Sequence, residues 1–197
     1  MAVTNSEETF LRVMLWVFMT SIQTDELVVL LDDAGRTIGT ARKADVHGTA
    51  TPLHLAFSCY LFDDEGRVLL TRRALDKKAF PGVWTNSFCG HPAPEEPLED
   101  AVIRRARTEL GVDLSDLRCV LPDFRYRAVD AGGVVENEVC PVFCARVDGP
   151  LDADPEEIMD SAWVPWDQLR AATALPWAIS PWAVEQVPLL DAANVGR

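Results

Sequence analysis

A thiol and an imidazole stand on either side of Gly90, in Cys89 and His91. Side chains at positions i and i+2 point to the same face of an extended backbone, so both groups could serve one site. A thiol beside an imidazole is suited to proton transfer or to nucleophilic chemistry. The chain has only two other histidines, His47 and His54, which are also close together in sequence. The pattern indicates a reactive centre at Cys89–His91 to which the other histidines could contribute.

Two carboxylates, Glu136 and Glu138, alternate along a predicted strand and therefore point to the same side of it. Like charges that close are unfavourable unless solvent, a proton or a cation lies between them. An exposed strand face is one interpretation, but the apolar residues around the pair favour a buried strand, where bare carboxylates are costly. With the three imidazoles they form a mixed nitrogen and oxygen set that suits Zn²⁺ or Mn²⁺. The alternative is that the histidines are ordinary core or surface side chains.

Arg105 and Glu109 are four residues apart in a predicted helix and therefore lie on one face of it. One interpretation is a surface ion pair that contributes a few tenths of a kcal/mol, on the order typical of such pairs. The other follows from position: the helix begins shortly after Cys89–His91, so Glu109 could face the same pocket.

Basic side chains are concentrated near the first two histidines. Arg73 and Lys77 lie in a predicted polar loop from Arg72 to Pro81, and the only other lysines are Lys43 and Lys78. A solvated charged loop is the simpler interpretation. In a chain with a net charge of −13, however, such a cluster favours binding of a phosphate or diphosphate.

The composition predicts one soluble domain. The chain has 197 residues, of which 48% are hydrophobic, and its net charge of −13 argues against nucleic acid and anionic membranes as partners. Its five cysteines are an odd number without disulfide or zinc spacing, which is typical of reduced thiols in the cytoplasm. We expect a cytoplasmic monomer, with Cys59, Cys119, Cys140 and Cys144 in the core.

Residues 1–24 are expected to form an N-terminal extension outside a single domain at residues 25–192. The apolar run Phe10–Met19 is shorter than the roughly 20 residues needed to span a bilayer. No basic residue precedes it, as a signal peptide would require, so Met19 is a candidate for the true start.

Alternating strands and one strong helix predict an α/β (α+β) fold. Apolar residues recur at helical spacing from Leu98 to Leu110, and Gly111 is suited to end the helix. Turn signals separate strands, and a short helix is expected after Pro165. Strands are predicted at Leu27–Leu31, Thr37–Arg42, Ala56–Phe62, Val68–Thr71, Phe124–Ala128, Val134–Arg146 and Ser161–Val164, with a last helical segment opened by Trp177 and Trp182.

A regular spacing links residues in and around the central helix: Gly90, Glu96, Arg104, Glu109, Gly111 and Val112. This spacing resembles the Nudix box, G-x5-E-x7-R-E-U-x-E-E-x-G-U, where U is aliphatic. Two acidic positions of the box are replaced, by Arg105 and by Thr108. The resemblance implies a Nudix-like fold with mixed and antiparallel β-sheets packed between helices.

Six sequence motifs stand in order along the chain: Thr51-Pro52-Leu53-His54, Thr71-Arg72-Arg73-Ala74, Pro81-Gly82-Val83-Trp84-Thr85-Asn86-Ser87, Cys89-Gly90-His91-Pro92, Asp123-Phe124-Arg125-Tyr126 and Glu136-Asn137-Glu138-Val139-Cys140-Pro141. With these motifs, over roughly Glu26 to Trp182, the chain resembles the type I isopentenyl-diphosphate isomerases. Such an enzyme converts isopentenyl diphosphate into dimethylallyl diphosphate in isoprenoid biosynthesis, so the implied partner is a small-molecule substrate.

The resemblance also implies roles for individual residues. Cys89 and Glu138 would be the acid and base, and Tyr126 would assist proton delivery on the Glu138 side. Trp182, with Trp177 as the alternative, would steady a developing cation with its ring face. The ligands of a tightly bound Zn²⁺ or Mn²⁺ would be His47, His54, His91, Glu136 and Glu138. Glu109 and the carbonyl of Cys89 would bind a Mg²⁺ that arrives with the diphosphate, and the diphosphate clamp would be Lys43, Arg73, Lys77 and Arg105.

Two other functions fit part of the pattern. A Nudix pyrophosphohydrolase would use the box, but Arg105 and Thr108 stand where it needs carboxylates to hold metals. A non-catalytic diphosphate-binding Nudix module would keep the basic cluster. Neither alternative explains Cys89 together with Glu138 and three histidines.

Overall fold

Twelve β-strands and four α-helices are present in residues 26–147 and 149–196, which the computed structural model describes. The helices are α1 Lys43–Val46, α2 Leu98–Leu110, α3 Trp166–Ala172 and α4 Pro181–Ala192. The strands are β1 Leu27–Leu31, β2 Thr37–Arg42, β3 His54–Leu55, β4 Phe57–Phe62, β5 Val68–Arg73, β6 Trp84–Thr85, β7 Phe88–Gly90, β8 Leu114–Leu121, β9 Arg125–Val129, β10 Val135–Val139, β11 Val142–Val147 and β12 Ile158–Val164.

The strands form two sheets, each with one parallel pair. The five-stranded sheet has the order β2-β1-β3-β10-β9, in which β3 and β10 are parallel. The seven-stranded sheet follows β12-β5-β4-β11-β8, with β6 added to β5 and β7 added to β4, and its parallel pair is β4 and β11. The prediction of mixed and antiparallel sheets is therefore confirmed.

Both faces of the seven-stranded sheet are covered, which explains the apolar sequence of β4. Successive side chains of a strand point to opposite faces. Phe57 and Leu61 pack in a cluster with Val102 of α2, whereas Tyr60 packs in a second cluster with Leu190 of α4. Full burial of each such side chain stabilises the fold by roughly 1.5–3 kcal/mol.

Helix α2 has the predicted bounds, from Leu98 to Leu110. Gly111 follows it with φ 67°, and its amide donates to the carbonyls of Ala106 and Arg107. This left-handed conformation ends the helix and is accessible to glycine at no steric cost. The hydrogen bonds from Gly111 fix the last turn of α2, which contains Glu109.

The long strand predicted over Val134–Arg146 is wrong, because it is two strands in different sheets. β10 ends at Val139 in the five-stranded sheet, and β11 begins at Val142 in the seven-stranded sheet. Pro141 lies between them and has no amide hydrogen to continue a ladder. The crossing brings the Glu138 strand next to the sheet that carries Cys89.

Three further expectations differ from the structure. Arg72 and Arg73 belong to β5, so the basic loop begins only after them. No element is predicted at Leu114–Leu121, which the structure shows as strand β8; its residues Leu114, Leu117 and Leu121 recur at a helix-like spacing. Cys119 lies exposed on this edge strand rather than in the core, while Cys59, Cys140 and Cys144 are buried as expected; all are free thiols.

The expected extension at residues 1–24, with its apolar run Phe10–Met19, lies outside the described residues. Within residues 26–147 and 149–196, no helix is both long and apolar enough to cross a membrane.

Candidate active site

Both sheets and three helices, α1, α2 and α4, line a cleft of about 640 Å³. The five-stranded sheet contributes Tyr126, Glu136 and Glu138, and the seven-stranded sheet contributes Arg73 and Cys89. The predicted site residues that line it are Lys43, His47, Arg73, Lys77, Cys89, His91, Arg105, Tyr126, Glu136, Glu138 and Trp182. The fold thus brings together groups that are far apart in sequence.

The other two predicted residues, His54 and Glu109, lie directly behind the lining. His54 is fully buried, and its Nε2 is 3.2 Å from Nε2 of His91. Glu109 is also buried and accepts a 2.8 Å hydrogen bond from Nε of Arg105. Each is in contact with a residue of the cleft wall.

The three histidines and Glu138 converge on one point. One ligating atom from each of them lies within 4.8 Å of all the others. Oε1 of Glu138 is 3.4 Å from Nε2 of His54 and 3.3 Å from Nε2 of His91. Glu136 adjoins the group, with its Oε2 2.9 Å from Nε2 of His47. Such a set is able to hold a divalent transition metal.

Unsatisfied polar atoms support the fit of a cation in this cluster. Nε2 of His47 and Oε2 of Glu136 are close but lack hydrogen-bond geometry, and neither has another partner among the described residues. Nδ1 of His54 lies 2.9 Å from the carbonyl oxygen of Pro52 and donates to it, which leaves Nε2 turned toward the cluster. A backbone carbonyl that fixes a histidine in this way is common behind metal sites. The donor set therefore fits a divalent cation.

The charges of the cluster depend on each other. Burial works against ionisation of Glu138, but its contacts with His54 and His91 outweigh this and hold the Glu138 pKa well below its usual range. Burial lowers the pKa of His91 to about 4, so this imidazole is neutral and available as a ligand. Burial, and then the neighbouring Glu138, raises the pKa of Glu136. A positive charge at the centre would relieve this repulsion.

Cys89 lies on β7 beside the cluster. Its Sγ is 3.4 Å from Oγ of Ser58 and donates to Oδ1 of Asn86 at 3.3 Å. Burial raises the pKa of Cys89 to about 11, so the group is a thiol rather than a thiolate at neutral pH. Cys89 and His91 are therefore not an activated nucleophile and base, because His91 faces Glu138 instead.

Trp182 lines the cleft together with a second aromatic residue, Tyr126. Its exposed fraction is only 2%, whereas that of Trp177 is 81%, so the alternative of Trp177 is not supported. The ring centroids of Trp182 and Tyr126 are 5.5 Å apart. The guanidinium carbon of Arg73 lies 5.8 Å from the Trp182 centroid, which shows that a cation can approach this ring.

The basic end of the cleft contains two carboxylates that the sequence does not single out. Lys43 pairs with Glu26 at 2.5 Å, and Lys77 pairs with Glu157. Glu157 also lies 3.3 Å from Nη2 of Arg105, which is itself paired with Glu109. No spacing signal marks Glu26 or Glu157, because their importance depends on partners distant in sequence.

Comparison with known proteins places this fold and site in a class. The family model of the NUDIX domain matches residues 52–188, so the chain belongs to the Nudix family. A solved structure, DR0079 from Deinococcus radiodurans, is similar with a TM-score of 0.65 at 22% identity, over 83% of this chain and 98% of that one. The MutT protein from Methanosarcina mazei is similar with a TM-score of 0.58 at 17% identity, over 73% of this chain and 96% of that one. These likenesses show the fold alone.

Curated relatives define the family more narrowly. The isopentenyl-diphosphate Delta-isomerase of Mycolicibacterium vanbaalenii is 70% identical over 179 residues, which are 91% of this chain and 99% of that protein. The protein of the same name from Clavibacter michiganensis is 62% identical over 85% of this chain and 87% of that one. The chain therefore belongs to the isopentenyl-diphosphate Delta-isomerase family, which confirms the resemblance inferred from the motifs.

Proposed function

We propose that the cleft converts isopentenyl diphosphate into dimethylallyl diphosphate, by addition of a proton at C4 and removal of a proton from C2. The observation that carries this proposal is that Cys89 on β7 and Glu138 on β10 come from different sheets and line the same cleft. The names of relatives that are 56–70% identical support the reaction. We place the catalytic domain at residues 25–192 and expect a cytoplasmic monomer that does not bind nucleic acid.

The reaction requires that one of the two proton-transfer groups is protonated and the other is not. The pKa shifts of Cys89 and Glu138 agree with this requirement. With its pKa raised to about 11 by burial, Cys89 carries a proton, and Glu138, with its pKa held below the usual range despite burial, carries none. One group can therefore deliver a proton while the other accepts one. Tyr126 is the partner of Glu138 in the register of β9 and β10, and burial keeps the Tyr126 pKa well above its usual value. Its phenol therefore stays protonated and can assist on the Glu138 side.

Protonation of an unactivated alkene gives a species close to a tertiary carbocation, which water would capture. The reaction therefore requires a dry site in which acid and base are already in place. Trp182 is almost completely buried yet lines the cleft, so its ring can face the cation without admitting water. We assign it the role of steadying that charge.

The diphosphate would bind at the basic end. Lys43, Lys77 and Arg105 line this part of the cleft and already make ion pairs with carboxylates, so they are positioned to bind anions. Arg73 joins them next to Trp182. Binding energy from the diphosphate would orient the hydrocarbon end, where the chemistry occurs.

We assign two cation sites to the chain. The first is formed by His47, His54, His91, Glu136 and Glu138 and would take Mn²⁺ or Zn²⁺. The second is formed by Glu109 and the carbonyl of Cys89 and would take Mg²⁺ together with the diphosphate. When bound, these ions would favour the ionised form of Glu138 and neutralise the diphosphate.

A Nudix pyrophosphohydrolase is the alternative function, and two side chains argue against it. Arg105 places a positive charge next to Glu109, where the Nudix box has an acid. Thr108 replaces a second acid and donates its hydroxyl to the carbonyl of Arg104 within the helix. A non-catalytic diphosphate-binding module, in turn, would not need Cys89 or Glu138. Neither alternative uses the whole cleft.

Substitution of the two proton-transfer groups tests the proposal. Cys89→Ala and Glu138→Gln should each lower kcat for isopentenyl diphosphate by at least about 10³-fold, since each removes a group that acts in the transition state. Cys119→Ala is the control, because this cysteine is exposed and outside the cleft, and its kcat should be unchanged. Retained turnover in Cys89→Ala or Glu138→Gln would refute the assignment.

A further inference from the structure

Asn86 is fully buried, and every polar atom of its side chain is used. Its Nδ2 donates to the carbonyl of Cys59 at 3.0 Å and to the carbonyl of Phe88 at 2.7 Å. These two acceptors fix the orientation of the amide, because the reverse orientation would place its oxygen against two carbonyl oxygens. The position of Oδ1 is therefore determined by the backbone.

The fixed oxygen binds two side chains of the cleft. Oδ1 of Asn86 accepts a 2.8 Å hydrogen bond from Nε1 of Trp182 and a 3.3 Å hydrogen bond from Sγ of Cys89. The hydroxyl of Thr85 also donates a hydrogen bond to Oδ1 of Asn86, at 2.8 Å. Cys89 belongs to β7 and Trp182 to α4, so a single atom sets the distance between a reactive sulfur on a sheet and an aromatic ring on a helix.

We propose that Asn86 is a positioning residue that places the Cys89 thiol and the Trp182 ring in register for the alkene. The inference rests on the proposed roles of these two side chains and adds a residue that does not line the cleft. The ring must face the carbon skeleton at which the cation develops, and the sulfur must reach one of its carbons. A displacement of about 1 Å in such an arrangement can cost about 100-fold in rate.

Loss of the oxygen would remove the acceptor of three donors. The thiol of Cys89 and the hydroxyl of Thr85 each lie near a second hydroxyl group, whereas the indole N–H of Trp182 has no other hydrogen-bond partner among the described residues. A buried indole N–H without an acceptor is energetically costly, so the Trp182 ring would rotate or a water molecule would enter beside it. Either change would act on the chemical step. Among the described residues, the side chain of Asn86 makes no hydrogen bond to a basic residue of the cleft, so binding of the diphosphate should be affected little.

Kinetics of Asn86→Ala, compared with Ser87→Ala, test the inference. Ser87 is equally buried, but its hydroxyl donates to the carbonyl of Leu69 and accepts from the amide of Leu61, away from the cleft. We expect Asn86→Ala to lower kcat about 100-fold with a change in KM below about threefold, whereas Ser87→Ala should keep kcat within about threefold of the wild type. Equal kcat values for the two folded variants would overturn the inference.

The chemical shift of the indole N–H resonance of Trp182 supplies a readout that a general loss of stability would not change. We assign this resonance by its absence in Trp182→Phe. In the wild type it should exchange with solvent far more slowly than that of the exposed Trp177, and in Asn86→Ala it should shift and exchange faster. Equally fast exchange of Trp182 and Trp177 in the wild type would refute the hydrogen bond, and this comparison needs no variant of Asn86.

Asn86→Ser covers the case in which the alanine variant does not fold, because serine keeps an oxygen but is shorter. The kcat of Asn86→Ser should be measurable but lower than that of the wild type, with KM unchanged. A kcat equal to that of the wild type would contradict the inference. Failure of the proposed function is a separate outcome. It would appear as a wild-type protein without isomerase activity, whereas failure of this inference leaves the wild type active.

Discussion

At the scale of single residues, a change of charge at one helical position separates this site from a hydrolase. Arg105 stands at an acidic position of the Nudix box and is ion-paired with the buried Glu109. Two carboxylates there would attract metals that activate water, while an arginine is suited to hold a diphosphate. The same helix face can thus support substrate binding without hydrolysis.

The two neighbouring lysines of the basic loop should differ in importance. Lys77 is held by Glu157 beside Arg105, whereas the exposed Lys78 donates to the carbonyl of Ala44. We expect Lys77→Met to raise KM for isopentenyl diphosphate about tenfold with little change in kcat, because a charge-assisted hydrogen bond to the diphosphate is lost. Lys78→Met is the matched control, with a smaller effect. Equal KM values in steady-state kinetics would contradict the clamp as assigned.

The chemistry of a residue type determines whether a site residue can be recognised from the sequence alone. Cysteine, histidine and paired glutamates carry recognisable chemistry, so Cys89, His91 and Glu138 can be singled out without a structure. Asn86 and Glu157 are ordinary residue types whose roles depend on distant partners, such as Trp182 for the former. Only the folded chain identifies them.

At the scale of elements, a salt bridge fastens helix α2 to the segment that carries the site. Glu96 bonds to Arg104 at 2.7 Å and accepts from the amide of Ala93, and Arg104 also donates to the carbonyl of His91 at 3.2 Å. The hydrogen bond from Arg104 lowers the pKa of Glu96 below 4.5. These contacts tie His91 of the histidine cluster to the helix that bears Glu109.

The pKa shift predicts how this salt bridge depends on pH. Because folding lowers the pKa of Glu96, its contribution is present above about pH 4.5 and is lost as the pH falls through the lowered value. Glu96→Gln should therefore reduce the free energy of unfolding by about 1 kcal/mol at pH 7 and by progressively less below about pH 4.5. Urea denaturation at pH 7 and pH 4 measures this difference, with the exposed Glu95→Gln as control. A difference independent of pH would argue against the linkage.

Local sequence predicts some elements and not others, for identifiable reasons. Helix α2 has a strong apolar period and a glycine at its end, so its bounds follow from local physics. Among the described residues, strand β8 pairs with β11 alone, and its leucines have a helix-like spacing, so its conformation depends on β11. The break at Pro141 is visible in sequence as a residue that cannot continue a ladder, but the change of sheet is a tertiary feature.

At the scale of the whole molecule, a net charge of −13 must coexist with a site for an anion. Basic side chains are concentrated at one end of the cleft, and the carboxylates paired with Lys43, Lys77 and Arg105 balance their charges in the absence of substrate. Partial burial of these pairs limits screening by salt. The arrangement thus permits selective anion binding by an acidic protein.

Removal of the cation should lower the stability of the whole fold. The histidine cluster is buried and joins β3, β10 and the segment after β7, so without a positive charge it holds unsatisfied polar atoms. We expect about one equivalent of transition metal per chain by elemental analysis, and a decrease of Tm by several degrees after chelation. His54→Ala should have the same Tm with and without chelator. An unchanged Tm in the metal-depleted wild type would contradict the site.

The most direct test of the account is the reaction in D2O. Wild-type protein, Mg²⁺ and isopentenyl diphosphate are incubated together, and the allylic protons and phosphorus signals are followed by NMR. We predict that dimethylallyl diphosphate forms with deuterium incorporated from solvent, because Cys89 and Glu138 exchange their protons with water between turnovers, and that no phosphate is released. Release of phosphate, or product without deuterium, would contradict an isomerase in which these two groups transfer the protons.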